Sequence, residues 1–363
     1  MLRRTASPVL VLLLAFAVAG IATAAEFTRD FRIDRDELQV VNMIGQVEVV
    51  PADGDGFEVT VHVRGEDATA DVLEFLELEN GASLVVKFPL DEHDDYVYPR
   101  LGKGSKSTMT FRDDQDHGNS WLREIFSGMN GRKVTVRGSG RGLEVWADVT
   151  IRVPRGAELE VHNGLGGVEA ADLEADLVLD THSGRVKVRK VTGSVLVDTG
   201  SGHVEVDGVT GDLDVDTGSG HVELTACEGE DIKVDTGSGH VTLAEVRCGY
   251  LNVDTGSGHV KARGVSTDGA RIDTGSGSVQ LELAHMGKGK FVLDTGSGGI
   301  DLVLPPDASA RISADTGSGG VSCDVDGADI IHKERTEMEL VVGDGEARVH
   351  LDAGSGHVKV SSR

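Results

Sequence analysis

The stretch GDLDVDTGSGHVELTA, from Gly211 to Ala226, decides the fold. Leu213, Val215 and Thr217 alternate with Asp214 and Asp216, and beyond Gly218-Ser219-Gly220 the residues Val222 and Leu224 alternate with His221 and Glu223. Period-two patterning on both sides of a glycine turn predicts two short strands with an apolar inner face and a polar outer one. Gly218 and Gly220 are expected to supply backbone freedom for the bend, and Gly208 or Gly229 to return the chain to the next unit.

The unit repeats. DTGSG begins at Asp198, Asp216, Asp235, Asp254, Asp273, Asp294 and Asp315, with DTHSG at Asp180 and DAGSG at Asp352, and the steps from Asp180 to Asp315 are 18 to 21 residues. NGLGGVEA from Asn163 reads as an eroded first copy, and Val341 to Val349 as a degenerate coil between the last two. A fixed period this short predicts an all-β solenoid of stacked two-strand coils. One coil buries too few aliphatic side chains to offset the backbone entropy of its own residues. Stability must therefore come from interfaces between neighbouring coils, as in other repeat arrays.

Working outward, residues 146–363 form the array and residues 91–145 an insertion, a long loop with a short amphipathic helix at SWLREIFSGM, Ser120 to Met129. Residues 25–90 carry alternating runs such as LQVVNMIGQVEVV and read as an irregular β section feeding the same kind of sheet. Residues 1–24 join Arg3 and Arg4 to an apolar run from Val9 to Ala19 and to the small residues Ala22, Thr23 and Ala24. That pattern predicts a signal peptide cut after Ala24, hence an exported, periplasmic or extracellular chain with no transmembrane anchor left after cleavage.

The chain carries a net charge of −26, and loss of Arg3 and Arg4 with the leader makes it two units more negative. Such a surface disfavours nucleic acid and anionic lipid and leaves divalent cations as the natural small partners. Cys227, Cys248 and Cys323 show no metal-ligand spacing such as CxxC. Cys227 aligns with Val209, Val246 and Val265 as a small core residue, a bridge to Cys248 is the alternative to free thiols, and Cys323 has no evident mate.

VTIRVPRGAELEVHNGLGGVEA, the DTGSGHVEV copies, LVLPPDASARISADTGSGG and GDGEARVHLDAGSGHVKV together resemble the bacterial toast-rack domains of unknown function, also called “putative adhesins”. The resemblance covers most of the mature chain and is clearest after Trp146. It implies a β-solenoid in an exported or envelope-associated protein, with no established catalytic residues to transfer.

Several motifs invite a chemical reading. FVLDTGSGG, Phe291 to Gly299, matches an aspartic-protease pattern, but that chemistry needs two carboxylates facing each other and sharing a proton. Here the string is spread along one array, so the expected role of each Asp is local, accepting N–H groups of the turn that follows it. Stacking would place Asp198, Asp216, Asp235, Asp254 and Asp273 in one column, with the like-charge repulsion relieved by turn N–H groups or by a divalent cation such as Ca²⁺ between coils. His203, His221, His240 and His259 stand five residues after their Asp and should form a second ladder, a candidate metal row that ends where Ser278, Gly299 and Gly320 replace His. Charging these imidazoles as pH falls is expected to weaken the stack.

The loop DEHDDYVY holds Asp91, Glu92, His93, Asp94 and Asp95 without the spacing of a calcium loop. Tyr96, Tyr98, Phe111 and Trp121 concentrate aromatic residues in the insertion, which makes it the expected home of a recognition patch, while Trp121 and Phe126 are expected to cap the open solenoid end. The reading that results is a non-catalytic envelope module, a scaffold, an adhesin-like domain or an envelope-sensing one, with a protein or glycan partner. The alternatives are a divalent-cation-dependent binding module and a polysaccharide-active β-helix enzyme.

Overall fold

A computed structural model describes residues 26–110 and 132–362. The leader, the helix expected at Ser120 to Met129, and Phe111, Trp121 and Phe126 lie outside the described residues.

The array is a β-solenoid whose coils stack in parallel and in register. On one face, Asp198 pairs with Asp216, Asp216 with Asp235, Asp235 with Asp254, Asp254 with Asp273 and Asp273 with Asp294. On the other, Val204 pairs with Val222, then Val241, Val260, Val279 and Ile300. The aliphatic residues between the two faces are buried in one continuous core. Cys227 lies in that core as expected, and all three cysteines are free thiols.

The turn chemistry differs from the expectation. The Thr of each motif is buried, and from Thr236 onward its hydroxyl works in two directions. Thr255 Oγ1 accepts the N–H of Gly258 at 3.0 Å within its own turn and donates to the carbonyl of Gly239 in the coil before at 3.2 Å. Thr274, Thr295 and Thr316 repeat the pair of bonds. The hydroxyl, not the Asp carboxylate, therefore closes the turn and ties it to its neighbour. In the earlier coils the strands run on to Ser183, Ser201 and Ser219, and the hydroxyls of Thr181, Thr199 and Thr217 find no partner.

The second turn glycine is required by close approach and not by a left-handed backbone. Gly239 has no positive φ, yet a Cβ there would run into the carbonyl oxygen of Gly220. The left-handed residue sits in the opposite turn, where Asp172, Lys190, Gly208, Ala226, Glu245 and Gly264 occupy one column with φ between 50° and 72°. Only two of these six are glycine, so the other four carry a strain of roughly 1–2 kcal/mol each.

Chain order and spatial order part company at the C-terminus. The strand Ala347–Ala353 lies between Lys290–Thr295 and Ala310–Thr316, so that Asp352 pairs with both Asp294 and Asp315. The last copy is thus the penultimate coil in space. The expectation of a degenerate coil at Val341 to Val349 is overturned: Glu337–Val342 runs antiparallel to Ala310–Thr316, and Gly343 and Gly345, both at positive φ, turn the chain back into the stack.

At the N-terminus, Glu37–Ile44 pairs in parallel with Ala157–Leu165, and Val47–Pro51 with Val168 to Ala170, so the early section forms a coil of the same rod. Asn163 stacks on Thr181, as its reading as an eroded copy requires, and Asn42 stacks on Asn163 in turn. Their amides do the work of the Thr hydroxyl: Asn163 Nδ2 donates to the carbonyls of Gly45 and Gly166 at 3.0 and 3.2 Å. Part of the segment 91–145 forms a three-stranded sheet, Asp95–Val97, Lys106–Thr110 and Lys133–Arg137.

These contacts make two glycine exchanges diverge. Gly239→Ala should abolish cooperative folding or lower the melting temperature sharply, whereas Ala226→Gly should stabilise by about 0.5–1 kcal/mol once the extra entropy of the unfolded chain is deducted. Chemical denaturation of both variants checks the pair.

Candidate functional site

The Asp column begins at a buried histidine. His162 stacks in register on Asp180, with Nδ1 3.0 Å from Asp180 Oδ2 and Nε2 2.7 Å from Glu160 Oε1. Burial pushes its pKa down, but the bonds to the two carboxylates outweigh that and raise it overall, while the same contact lowers Glu160. An imidazolium thus stands at the head of the carboxylate row. Further along, burial and then the neighbouring carboxylates raise Asp198 to about 6, and the same causes raise Asp235, Asp254 and Asp294. Arg271 bonds to Asp273 at 2.8 Å.

The imidazole ladder also forms, and its geometry selects a tautomer. His221 and His240 stack with centroids 5.0 Å apart, His240 and His259 at 5.2 Å, while His203 meets His221 edge to face at 6.4 Å. Nδ1 of His221 accepts the backbone N–H of His240 at 3.1 Å, Nδ1 of His240 that of His259 at 3.0 Å, and Nδ1 of His259 that of Ser278 at 2.8 Å. Nδ1 is therefore unprotonated in all three, and a neutral ring carries its proton on Nε2. Protonating Nδ1 would remove an inter-coil bond.

These two rows supply Asp198, Asp216, Asp235, Asp254 and Asp273, and His203, His221, His240 and His259, as anticipated from the repeat. They remain two rows. Among the described residues no imidazole of the ladder makes an ion pair with the Asp column, and no three His, Cys, Asp or Glu side chains converge to hold a metal ion. Nor do the carboxylates face each other across a cleft; they are neighbours on adjacent parallel strands.

The insertion does not offer the aromatic surface expected of it in its described part. Tyr96 and Tyr98 are buried, Tyr98 packing on Trp146 with centroids 5.7 Å apart and its hydroxyl accepting from Gln46 Nε2 at 3.1 Å. Two residues of its acidic loop are paired with arginine, Arg132 bonding Asp94 at 2.6 Å and Arg137 bonding Asp95 at 2.7 Å.

The departure from the repeat lies instead on the outer face of the rod, in a groove of about 670 Å³ that crosses several coils. Leu196 and Tyr250 line it, each 42% exposed, in rows where other coils place Asp214 and Lys233, or Asp231 and Gly269. Asp176, Asp212 and Asp231 add acid to its lining. Asp176 and Asp212 also hold the backbone, accepting N–H groups of Ser194 and of Glu230 and Asp231 at 2.7 to 3.1 Å. An exposed aromatic ring and an exposed aliphatic chain in a polar trough suit reversible recognition. Sequence analysis singled out neither residue; the signal available was a large apolar side chain at an outward-facing position, Leu196 beside Asp214 and Tyr250 beside Asp231.

Residues 209–361 match the family described as Toastrack DUF4097. Among solved structures, a “putative lipid binding protein” from Parabacteroides distasonis is 15% identical over 92% of this chain and 96% of its own, with a TM-score of 0.42. A “putative adhesin” from the same organism is 11% identical over 93% and 98%, with a TM-score of 0.39. Another from Bacteroides fragilis is 10% identical over 94% and 100%, with a TM-score of 0.34. No curated protein matches the chain.

The raised Asp column gives stability a definite pH dependence. Between the pKa of an unfolded Asp, about 3.9, and that of folded Asp198, the folded state holds more protons, so stability falls as pH rises through that window. His162, also raised, contributes stability that is present at low pH and lost as pH rises through its folded pKa. Asp198→Asn should raise the melting temperature at pH 7 by more than at pH 5, so that its slope differs from that of the parent, in which loss of the imidazole ladder's inter-coil bonds on acidification opposes the column. A slope unchanged by the substitution would separate the column from the effect.

Proposed function

We propose that this chain, whose residues 209–361 match the Toastrack family and whose coils continue upstream in register, is a non-catalytic, exported cell-envelope module that binds a protein or glycan partner, adhesin-like, through the outer face of its rod. The observation that carries this reading is the groove lined by Leu196 and Tyr250, the exposed large apolar side chains of the middle coils, with Val178 stacked on Leu196. A regular ladder explains repeated polar residues without a reaction centre, and a reaction centre would depart from the repeat in acids and bases. The groove departs from it in apolar residues. Export is supported by the leader-like residues 1–24 and by the acidic, nucleic-acid-averse composition.

The reading has a direct test. Immobilised bacterial envelope preparations should retain the purified protein, and Leu196→Ser combined with Tyr250→Ala should weaken retention at least tenfold, as loss of two contact side chains at about 1–2 kcal/mol each would require. Both side chains are exposed, so the variant should melt like the parent. Export predicts a mature chain beginning at Ala25 in the extracytoplasmic fraction of a bacterial host. Retention that follows added Ca²⁺ and ignores the two substitutions would favour the cation-dependent module, and breakdown of envelope polysaccharide would favour the enzyme.

A further inference from the structure

The C-terminal end of the rod closes on the strand Asp329–Lys333, sequence DIIHK. It pairs on one side only, antiparallel with Glu337–Val342, and among the described residues no strand occupies its outer edge. All five of its residues are exposed, and Ile330 at 45% and Ile331 at 52% are the most exposed large aliphatics among the described residues. Open edges of this kind are normally blunted, because free N–H and C=O groups beside apolar side chains recruit another strand. The strand is also held firmly in place: Arg335, just beyond it, donates from Nη1 to the carbonyls of Ser318 and Gly319 at 3.1 and 2.6 Å.

The order of charges along DIIHK says what would fit. Laid antiparallel against a copy of itself about Ile331, the strand sets Asp329 opposite Lys333, Ile330 opposite His332 and Ile331 opposite its own counterpart. Ile331 is the extra residue of a bulge and faces no residue of the inner strand. A parallel arrangement would place Asp on Asp and Lys on Lys, which is unfavourable in cross-strand pairs. We propose that this edge is a self-association surface, at which two copies of the chain join their sheets edge to edge about a two-fold axis, C-terminal end to C-terminal end. An isologous contact of this type closes on itself and yields a dimer, whereas a contact with the opposite end of another rod would continue into a filament.

The far end of the rod makes that alternative concrete. Its edge strand, Glu74–Leu78, carries Glu74 and Glu77 with Leu78 exposed, and among the described residues it too pairs on one side only. Head-to-tail stacking would set it against Ile330, Ile331 and Lys333. It would not use the Asp329 to Lys333 symmetry, so charge exchange separates the two modes.

Sedimentation velocity on the purified full chain across a concentration series tests the proposal. The expected result is a mass that doubles with concentration and stops at two. Asp329→Lys and Lys333→Asp should each remain monomeric alone, and an equimolar mixture of the two should recover the dimer. The double exchange within one chain should also dimerise. These side chains are exposed, so circular dichroism and melting should match the parent, and recovery by mixing cannot arise from misfolded chains. A monomer at every concentration, an open-ended series of masses, or a dimer indifferent to both exchanges would each overturn it.

Discussion

Each coil of this rod must bring its second turn glycine against the carbonyl oxygen of the coil before it, so closely that no side chain fits between them. From Thr236 to Thr316 the buried Thr three residues earlier adds to that junction, accepting from its own turn and donating across to the neighbour. The contact fixes the rotational register of one coil on the next. Once register is fixed, every side chain stands on its equivalent, and the rest of the molecule follows: aliphatic rows inside, and carboxylate and imidazole rows outside.

Register carries an electrostatic cost as well as a benefit. A row of aspartates at strand spacing repels itself, and the rise of Asp198 to about 6 expresses its burial first and that repulsion second. The chain offsets it locally, with the His162 imidazolium at the head of the row and Arg271 beside Asp273. The imidazole row behaves differently, since its Nδ1 atoms take backbone N–H groups from the following coil and so belong to the junctions. Both rows repeat from coil to coil. What distinguishes one region of the rod from another is where the repeat fails, at Leu196 and Tyr250 on its flank and at Ile330 and Ile331 on its end.

Much of this was legible in the sequence because the period is short and the strings are nearly identical. DTGSG at Asp198 to Asp315 predicts parallel strands in register, and alternation around Leu213 and Val222 predicts which side chains face inward. The roles within the motif were less legible. Asp and Thr are adjacent, both can accept a turn N–H, and only burial decides that Thr does so. The glycines look alike in sequence whether they serve a positive φ or a close approach. The threading of the Asp352 coil between those of Asp294 and Asp315 could not be read at all, because strand pairing depends on which edges are open when the chain turns back and not on chain order. Tyr96 and Tyr98 looked like a recognition patch for a related reason: composition reports that aromatics cluster, not that they are buried.

The claim beneath everything else is that the rod is a sum of equivalent junctions. If so, one whole coil can be removed without disturbing those on either side. Deleting residues 236–254 joins Asp235 directly to Thr255, its neighbour's threonine in the same register position. Circular dichroism with thermal melting should find a shortened protein that retains its strand signal and melts cooperatively within a few degrees of the parent, while deletion of only residues 236–245 destroys both. If the whole-coil deletion unfolds as completely as the half-coil deletion, the coils are not equivalent and the account of the fold fails.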